Sequence, residues 1–378
     1  MAAKSLKSLL VAAFSLCMVF STHMSFAQNE HPKPAEEHQP AAGHGSEEEF
    51  DITKTILSHI SDDHSWHLWG HTSIPLPVIL YTDKGIECFS SSKLVDEHHA
   101  PIAYQGNYLY KSVEGKIKVV NADGSIDEAA TAKLWDFSIT KNVASLLFTV
   151  ALLLIIFLSV ARAYKTRGVK SAPRGLQSFM EPLILFVRDE IAKPTIGHKY
   201  KRFMPFLLTV YFLIWINNTL GLVPFFPGGA NVSGNIAFTM TLALCTFLIV
   251  NFIGNKSYWE HIFWMPGMPV GMKLFLAPIE LLGVFIKPMS LMIRLFANIT
   301  AGHILVLTLI CLIFVFKSIF ASALSVPFAI FIGMIELLVA FLQAYIFTML
   351  SSMYIGMAVE EHHHHGDADP HYNEGELA

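Results

Sequence analysis

Charged residues are scarce in this chain of 378 residues. Asp, Glu, Lys and Arg together make up 15% of it, hydrophobic residues make up 53%, and the mean hydropathy is +0.47. These values differ from those of an ordinary soluble protein and indicate a polytopic helical membrane protein. The net charge of −4 at pH 7 argues against a nucleic-acid partner.

Cysteine is scarce as well, with four residues in the whole chain. One lies in an N-terminal leader, two lie in apolar runs and one lies in a polar region: Cys17, Cys245, Cys311 and Cys88, respectively. This distribution excludes a disulfide framework and a CxxC metal site. We therefore expect neither a metal nor a cofactor.

The first 27 residues have the pattern of a secretory signal peptide. Lys4 and Lys7 precede an apolar run of about 12 residues over 9–20, and a small-residue cleavage site follows it. The alternative is a first membrane anchor, but a spanning helix needs about 20 apolar residues. We expect a cleaved leader over residues 1–27.

Two polar segments follow the leader. Residues 28–50 are rich in His, Glu and Pro and cannot bury a core, so we expect them to be disordered. Residues 51–140 form a small soluble region, which is exported if the leader is cleaved. Alternating apolar residues between turn residues predict short β-strands at 74–81, 86–89 and 116–120.

The rest of the chain is dominated by five long apolar segments, over 143–163, 203–226, 232–253, 274–316 and 324–358. A strongly basic loop separates the first two, whereas the turn after the second has no Lys or Arg. The positive-inside rule therefore places the N-terminal region outside and the C-terminus in the cytoplasm. We assign residues 141–360 to a membrane domain and 361–378 to an acidic, His-rich cytoplasmic tail.

The last two apolar segments are too long to cross a bilayer upright. They hold about 43 and 35 residues, or roughly 65 and 50 Å of helix, against a hydrocarbon core of about 30 Å. Pro278 and Pro288 permit bends in the first of them. The predicted fold is an all-α polytopic membrane protein whose last two segments form a long tilted helical hairpin, with a small exported N-terminal region of short strands.

Arg294 lies halfway along the fourth apolar segment. A guanidinium group is permanently protonated, and a charge near the bilayer centre costs about 3 kcal/mol on insertion scales. The side chain is about 20 residues from either end of the segment, too far to reach a headgroup. An intramembrane arginine indicates a functional site, and the alternative is a structural ion pair.

Polar side chains gather on single faces of both long segments. At about 100° per residue, five residues of the fourth segment fall near one direction: Glu280, Lys287, Ser290, Arg294 and Asn298. On the fifth segment, one face carries Glu336, Gln343 and Tyr354. His303 falls on the side opposite Arg294, where we expect it to share a wet pocket with Glu336.

The residue types suggest proton chemistry. Arg cannot release its proton, but it can keep a neighbouring carboxylate charged. His and Glu can exchange protons near physiological pH, and amides and hydroxyls can hold water without adding charge. The pattern is typical of two proton-accessible regions separated by a group that does not titrate.

Three stretches carry a resemblance to a known family. They are KPMSLMIRLFANITAGH over 287–303, NTLGLVP over 218–224 and QAYIF over 343–347. They resemble the signature of subunit a of F-type ATP synthase, and the likeness covers roughly residues 143–360. Residues 28–140 have no counterpart in these motifs.

The resemblance implies a bacterial inner-membrane stator subunit that is not itself an enzyme. It conducts protons through two half-channels to and from a rotating c-ring for ATP synthesis. The implied partners are the c-ring, stalk subunit b, the remaining subunits and the lipid bilayer. Because the ion-binding carboxylate belongs to the ring, this sequence alone leaves H⁺ and Na⁺ open as the coupling ion.

The resemblance also assigns roles to residues. Arg294 faces the c-ring carboxylate, with Asn298 and Gln343 beside it, and His303 and Glu336 line the outside channel. The cytoplasmic outlet is lined by Glu280, Lys287, Ser290 and Tyr354, while Asn218 and Asn235 give polar support. Many bacterial members carry the acid and the imidazole exchanged relative to His303 and Glu336, and they have aspartates near Gly221 and Ser233 that this chain lacks.

Structural alternatives exist for several of these residues. Glu280 and Lys287 could pair with each other, Tyr354 could be an interfacial aromatic, and Asn298 and Gln343 could join helices by hydrogen bonds.

Two other functional classes also compete. A His-rich metal transporter is the first, but the dense histidines (98–99 and 362–365) lie in soluble segments, and no span holds an HxxxH or HxxxD pair. A secondary transporter would show repeated halves, which this sequence lacks.

Overall fold

The structure is a computed structural model, and it describes most of the chain between residues 60 and 360, together with Thr53 and Ile56. Gaps in this description fall at 70–71, 97–100, 114, 169–171, 224–226, 266–268 and 317–318. The predicted leader (1–27), polar segment (28–50) and tail (361–378) lie outside the described residues.

The region before the membrane domain is built from short antiparallel strands. In chain order they are β1 (Ser65–Trp69), β2 (Thr72–Pro75), β3 (Pro77–Thr82), β4 (Gly85–Ser90), β5 (Tyr104–Gln105), β6 (Leu109–Val113), β7 (Lys116–Val119) and β8 (Trp135–Asp136), with a one-turn helix, α1 (Glu128–Thr131), before β8. They form three small sheets, ordered β1-β2, β4-β3-β8 and β5-β6-β7.

The strand predicted over 74–81 is divided in two by Leu76. Its backbone N–H bonds to the His64 carbonyl at 3.2 Å and to Ser91 Oγ at 3.1 Å, outside the ladder of either sheet. Prolines on both sides of it, Pro75 and Pro77, have no N–H to give a ladder. The prediction of one continuous strand is therefore wrong at this point.

Alternation along β3 places one of its faces in a small core. Val78, Leu80 and Thr82 are buried, whereas Ile79 and Tyr81 point away, as the two-residue period of a strand requires. The core that they help to form also includes Phe89, Leu94, Tyr110, Ile117, Val119 and Leu134.

Most of the remaining described chain is helical. They are α2 (Lys141–Arg167), α3 (Leu176–Phe186), α4 (Lys193–Ile196), α5 (Tyr200–Leu222), α6 (Ile236–Ile253), α7 (Lys256–Phe263), α8 (Val270–Phe316) and α9 (Ile319–Val359). A π-helical turn, Val187–Ala192, joins α3 to α4. Within the described part of the chain, five helical stretches are long and apolar enough to cross a membrane: Lys141–Arg167, Leu176–Leu222, Ile236–Ile253, Val270–Ile313 and Ser322–Val359.

The third apolar segment starts its helix later than the predicted bound at residue 232. Ser233 and Gly234 precede the helix, and α6 begins at Ile236 because Asn235 caps it, with Asn235 Oδ1 accepting the Ala237 N–H at 2.9 Å. A capping side chain fixes the first turn of a helix more sharply than hydrophobicity does. Residues 227–235 therefore form a loop before α6. We call it the outer loop, after the side of the membrane that the charge pattern predicts for it.

Helices α8 and α9 run antiparallel and pack side by side. Contacts between them join Asn298 to Gln343 and His303 to Glu336, so that later residues of α8 meet earlier residues of α9. Helix α9 also packs on α5, and α8 packs on α6. The α8 and α9 stretches are the least buried of the five membrane-capable ones, which leaves extensive apolar surface on both.

Candidate functional site

Arg294 sits on α8 between two fully buried residues, Leu291 and Leu295, and its own side chain is half-buried. These leucines anchor the helix in the core, so the arginine is held at the edge of the packed region. Within the described residues, no Asp or Glu oxygen lies within 4 Å of its guanidinium. The described part of the chain thus provides no ion pair for Arg294.

Tyr354 of α9 lies near two of the cations of α8, Lys287 and Arg294. Lys287 Nζ stands 5.7 Å from the centre of the Tyr354 ring, and Arg294 interacts electrostatically with the same side chain. A cation over an aromatic face gains some stabilisation without being neutralised. This part of the structure, Lys287, Arg294 and Tyr354, is called the arginine end below.

Asn298 and Gln343 are joined directly, one turn from Arg294. Asn298 Nδ2 donates to Gln343 Oε1 at 3.1 Å, and Gln343 is buried. Gln343 Nε2 has no hydrogen-bond partner among the described residues. A buried amide normally has partners at both ends, whereas that of Gln343 has one only at its oxygen. The Gln343 side chain therefore retains a free donor beside the arginine.

His303 and Glu336 form the closest acid–imidazole contact in the described membrane helices. His303 Nδ1 lies 2.9 Å from Glu336 Oε1, and their side chains are 17% and 8% exposed, respectively. Gly302 makes this approach possible, because a Cβ at that position would lie 2.5 Å from Glu336 Oε1. We call His303, Glu336 and Gly302 the histidine end.

The histidine end borders the outer loop. A Cβ on Gly221, near the end of α5, would lie 3.9 Å from His303 Nε2 and 3.2 Å from the carbonyl oxygen of Ala230. The imidazole, the last turn of α5 and the outer loop therefore meet at one point. Gly221 keeps that point free of a side chain.

The remaining predicted residues are distributed unevenly. Glu280 and Ser290 are both half-buried on α8, but Glu280 interacts electrostatically with Tyr258 of α7 and makes no ion pair with Lys287 among the described residues. The alternative of a Glu280–Lys287 pair is not seen among the described residues. Asn235 is occupied as the cap of α6.

Asn218 stands out among the predicted polar residues because it is 3% exposed and neither of its side-chain polar atoms has a partner in the described part of the chain. Two outer-loop residues each have one such atom, since Asn231 Nδ2 and Ser233 Oγ are buried without described partners. Buried polar atoms of this kind are usually satisfied by ordered water. Sequence reasoning missed Asn231 and Gly302, because their importance depends on contacts that no local pattern reveals.

The histidine-rich alternative gains no support from the described residues, which hold no group of three or more His, Cys, Asp or Glu able to bind a metal ion. His98 and His99, and the run over 362–365, lie outside them.

Comparison with known proteins gives two family matches. A family model described as ATP synthase A chain matches residues 143–356, and a model described as a domain of unknown function (DUF8433) matches residues 55–137. The first covers more than half of the chain and contains the arginine end and the histidine end. The second lies within residues 51–140, the region of short strands, which we call the strand-rich region.

Individual relatives agree with the first match. The ATP synthase subunit a of Chloroherpeton thalassium is 45% identical over 238 residues, which span 62% of this chain and 70% of the relative. That of Chlorobium phaeobacteroides is 46% identical over 246 residues, or 63% and 70%. That of Myxococcus xanthus is 43% identical over 239 residues, or 61% and 76%.

Proposed function

The chain belongs to the ATP synthase A chain family, and from that premise we propose that it is the stator subunit that passes protons to and from a rotating c-ring. Family membership makes it a membrane subunit of the proton-translocating F0 sector that acts with other F-type ATP synthase subunits. The proposal adds two half-channels, the ring as the moving partner and stalk subunit b as the neighbour in the stator.

The unpaired state of Arg294 carries the proposal. An arginine at the edge of an apolar helix needs a counter-charge, and the described residues hold none within 4 Å. A carboxylate on another membrane subunit would supply that charge. If such carboxylates arrive one after another on a ring, Arg294 meets each in turn and keeps it ionised.

The two ends of the α8–α9 pair divide the proton route between them. The histidine end would deliver protons from outside, with Asn218 as polar support, and Glu280, Lys287, Ser290 and Tyr354 would line the cytoplasmic outlet. Arg294 separates the two because it does not deprotonate. Asn298 and Gln343 would bind water or the ring carboxylate beside it.

The membrane arrangement follows from lengths and charges. Helices α8 and α9 are longer than the bilayer core is thick, so they would lie as a tilted hairpin whose exposed apolar faces contact the ring and lipid. The strand-rich region (51–140) would lie outside a bacterial inner membrane, and the tail (361–378) in the cytoplasm. The subunit performs no bond chemistry; each charge moved contributes about 2.3 kcal/mol per 100 mV.

Replacement of Arg294 tests the proposal most directly. In inverted membrane vesicles, Arg294→Ala should abolish proton-driven ATP synthesis, while the detached headpiece still hydrolyses ATP. Arg162→Ala is the matched control, because Arg162 is an exposed arginine near the end of α2 and should leave synthesis unchanged. Normal coupled synthesis by the Arg294→Ala complex would refute the proposal.

A further inference from the structure

A short segment at the start of the strand-rich region, Asp62–Trp66, joins that region to the membrane domain; we call it the junction segment. Asp62 Oδ1 accepts the backbone N–H of Asn142 at 3.1 Å, and the carbonyl of Asp63 accepts that of Lys141 at 2.8 Å. Both donors belong to the first turn of α2, whose N–H groups have no partner within the helix. The junction segment therefore caps a membrane helix.

The same segment is held to the strand-rich region through His64. This buried side chain has its Nε2 3.5 Å from Asp136 Oδ2 of β8, and its carbonyl accepts the N–H of Leu76. Burial alone would lower the pKa of His64, but Asp136 and the neighbouring carboxylates outweigh burial and raise it. The segment is thus fixed on two sides, by α2 and by β8.

Trp66, at the end of the junction segment, contacts the outer loop. Its side chain is 5% exposed, and its indole Nε1 donates to the carbonyl of Gly228 at 3.0 Å, across 162 residues of sequence. The loop is anchored on its other side by α5, because the Gly229 N–H bonds to the Leu220 carbonyl at 3.3 Å. A Cβ on Gly228 would collide with the Leu220 and Val223 carbonyls, so the loop lies flat on the helix end.

The part of the outer loop that follows leads to His303. Ala230 reaches the Gly221 position that also borders His303 Nε2. Buried polar atoms without a described partner lie here on the loop and on the last turns of α5: Asn231 Nδ2, Ser233 Oγ, and both Oδ1 and Nδ2 of Asn218. Their free donors and acceptors suit a file of ordered water that ends at the imidazole.

We propose that Trp66 is a positioning residue for proton entry: by holding Gly228, it fixes the outer loop over Gly221 and aligns the polar side chains that connect the outside to His303. The inference rests on the proposed function, because it assumes that His303 receives protons from that side. It gives the strand-rich region a role in transport. Trp66 itself does not touch the proton.

Trp66→Phe tests the idea because it keeps an aromatic ring but removes the N–H donor. The matched control is Trp135→Phe on β8, where the indole is 50% exposed. Both variants are made in the intact ATP synthase in membranes, so that the strand-rich region remains attached to its helices.

The first measurement concerns the loop alone. Ala230, which is 1% exposed, is replaced by Cys in a Cys88→Ser background, and the rate of modification by a membrane-impermeant maleimide from outside is read from the peptide that contains position 230. Trp66→Phe should speed modification about fivefold, the ratio expected for loss of one hydrogen bond worth about 1 kcal/mol. Trp135→Phe should leave the rate unchanged, and an unchanged rate in Trp66→Phe overturns the proposal.

The second measurement concerns transport. Passive proton flux through the membrane sector is measured after removal of the headpiece. It is followed as a function of the proton concentration on the side of the membrane that carries the strand-rich region, and it is normalised to assembled complex. Trp66→Phe should raise the half-saturating proton concentration by a similar factor and leave the maximal flux nearly intact. A loss of maximal flux with an unchanged half-saturating proton concentration indicates a merely structural role and overturns the proposal. Faster labelling at position 230 with unchanged flux also overturns it.

The two proposals fail in different ways. If the proposed function is wrong, Arg294→Ala retains coupled synthesis, whatever happens at position 230. If only the present inference is wrong, Arg294→Ala abolishes synthesis while Trp66→Phe behaves like Trp135→Phe.

Discussion

The arginine end and the histidine end of the α8–α9 pair solve the problem of charge in a membrane in opposite ways. At the histidine end, His303 and Glu336 face each other at 2.9 Å, so each polar group finds its partner within this chain. At the arginine end, Lys287 and Arg294 share an aromatic neighbour, Tyr354, but the described residues offer Arg294 no carboxylate. The histidine end has its partner within this chain, and under the proposed function the arginine end receives its carboxylate from a second subunit.

This difference has a mechanistic meaning. A group that relays protons benefits from a partner that is always present, because the acid and the imidazole can hand a proton between them at fixed geometry. A group that must meet successive partners benefits from having none of its own, since a permanent salt bridge would compete with each arriving carboxylate. The comparison therefore predicts that second changes in this chain can compensate damage at the histidine end, but that none can do so at the arginine end.

The largest effect in the predicted set, after that of Arg294→Ala, comes from breaking the His303–Glu336 contact. His303→Ala or Glu336→Gln should each slow proton flux through the membrane sector about tenfold, or roughly 1.4 kcal/mol on the barrier. The exchanged variant, His303→Glu with Glu336→His, restores one acid and one imidazole and should recover part of the flux. Flux is measured in vesicles stripped of the headpiece and normalised to assembled complex.

Two outcomes would contradict this prediction. Full flux in both single variants would remove the pair from the proton route. An exchanged variant that is no better than the worse single variant would show that the pair does not act as an interchangeable unit, so the histidine end would be no more self-contained than the arginine end.

A smaller and more selective effect is expected from Gly302→Ala. The added Cβ would lie 2.5 Å from Glu336 Oε1 and 3.1 Å from Glu336 Cδ and Cγ. All three atoms belong to one flexible side chain, so Glu336 can turn away while the backbone stays in place. Its contact with His303 would be lost, and flux should fall several-fold while the thermal stability of the complex barely changes. Gly283→Ala is the matched control on the same helix, because a Cβ there has nothing within 4 Å.

If Gly302→Ala lowers stability and flux together, the role of Gly302 is in helix packing. Its small size would then not be needed for the contact between Glu336 and His303. Unchanged flux would show that the 2.9 Å contact is dispensable.

Local patterns in the sequence predict much of this arrangement, because they depend on neighbouring residues. Long apolar runs indicate five membrane-capable segments, and the 100° spacing of a helix places Arg294 and Asn298 on one face. Other features depend on residues far apart in the chain. The contact between Trp66 and Gly228 spans 162 residues, and Gly302 matters only because Glu336 lies across from it on α9. The start of α6 at Ile236 has a local cause, since Asn235 caps the helix directly after Ser233 and Gly234.

The smallest predicted effect belongs to the Asn298–Gln343 hydrogen bond, which lies between the two ends. Interhelical hydrogen bonds in membranes contribute about 0.6 kcal/mol on average, so Asn298→Ala and Gln343→Ala should each lower the stability of the complex only slightly. Thermal inactivation of the two single variants and the double variant forms a cycle that isolates this pair. Coupling near 0.6 kcal/mol with flux intact assigns the pair to helix packing. A several-fold loss of flux without coupling would instead assign Gln343, through its free Nε2 donor, a part in proton transfer beside Arg294.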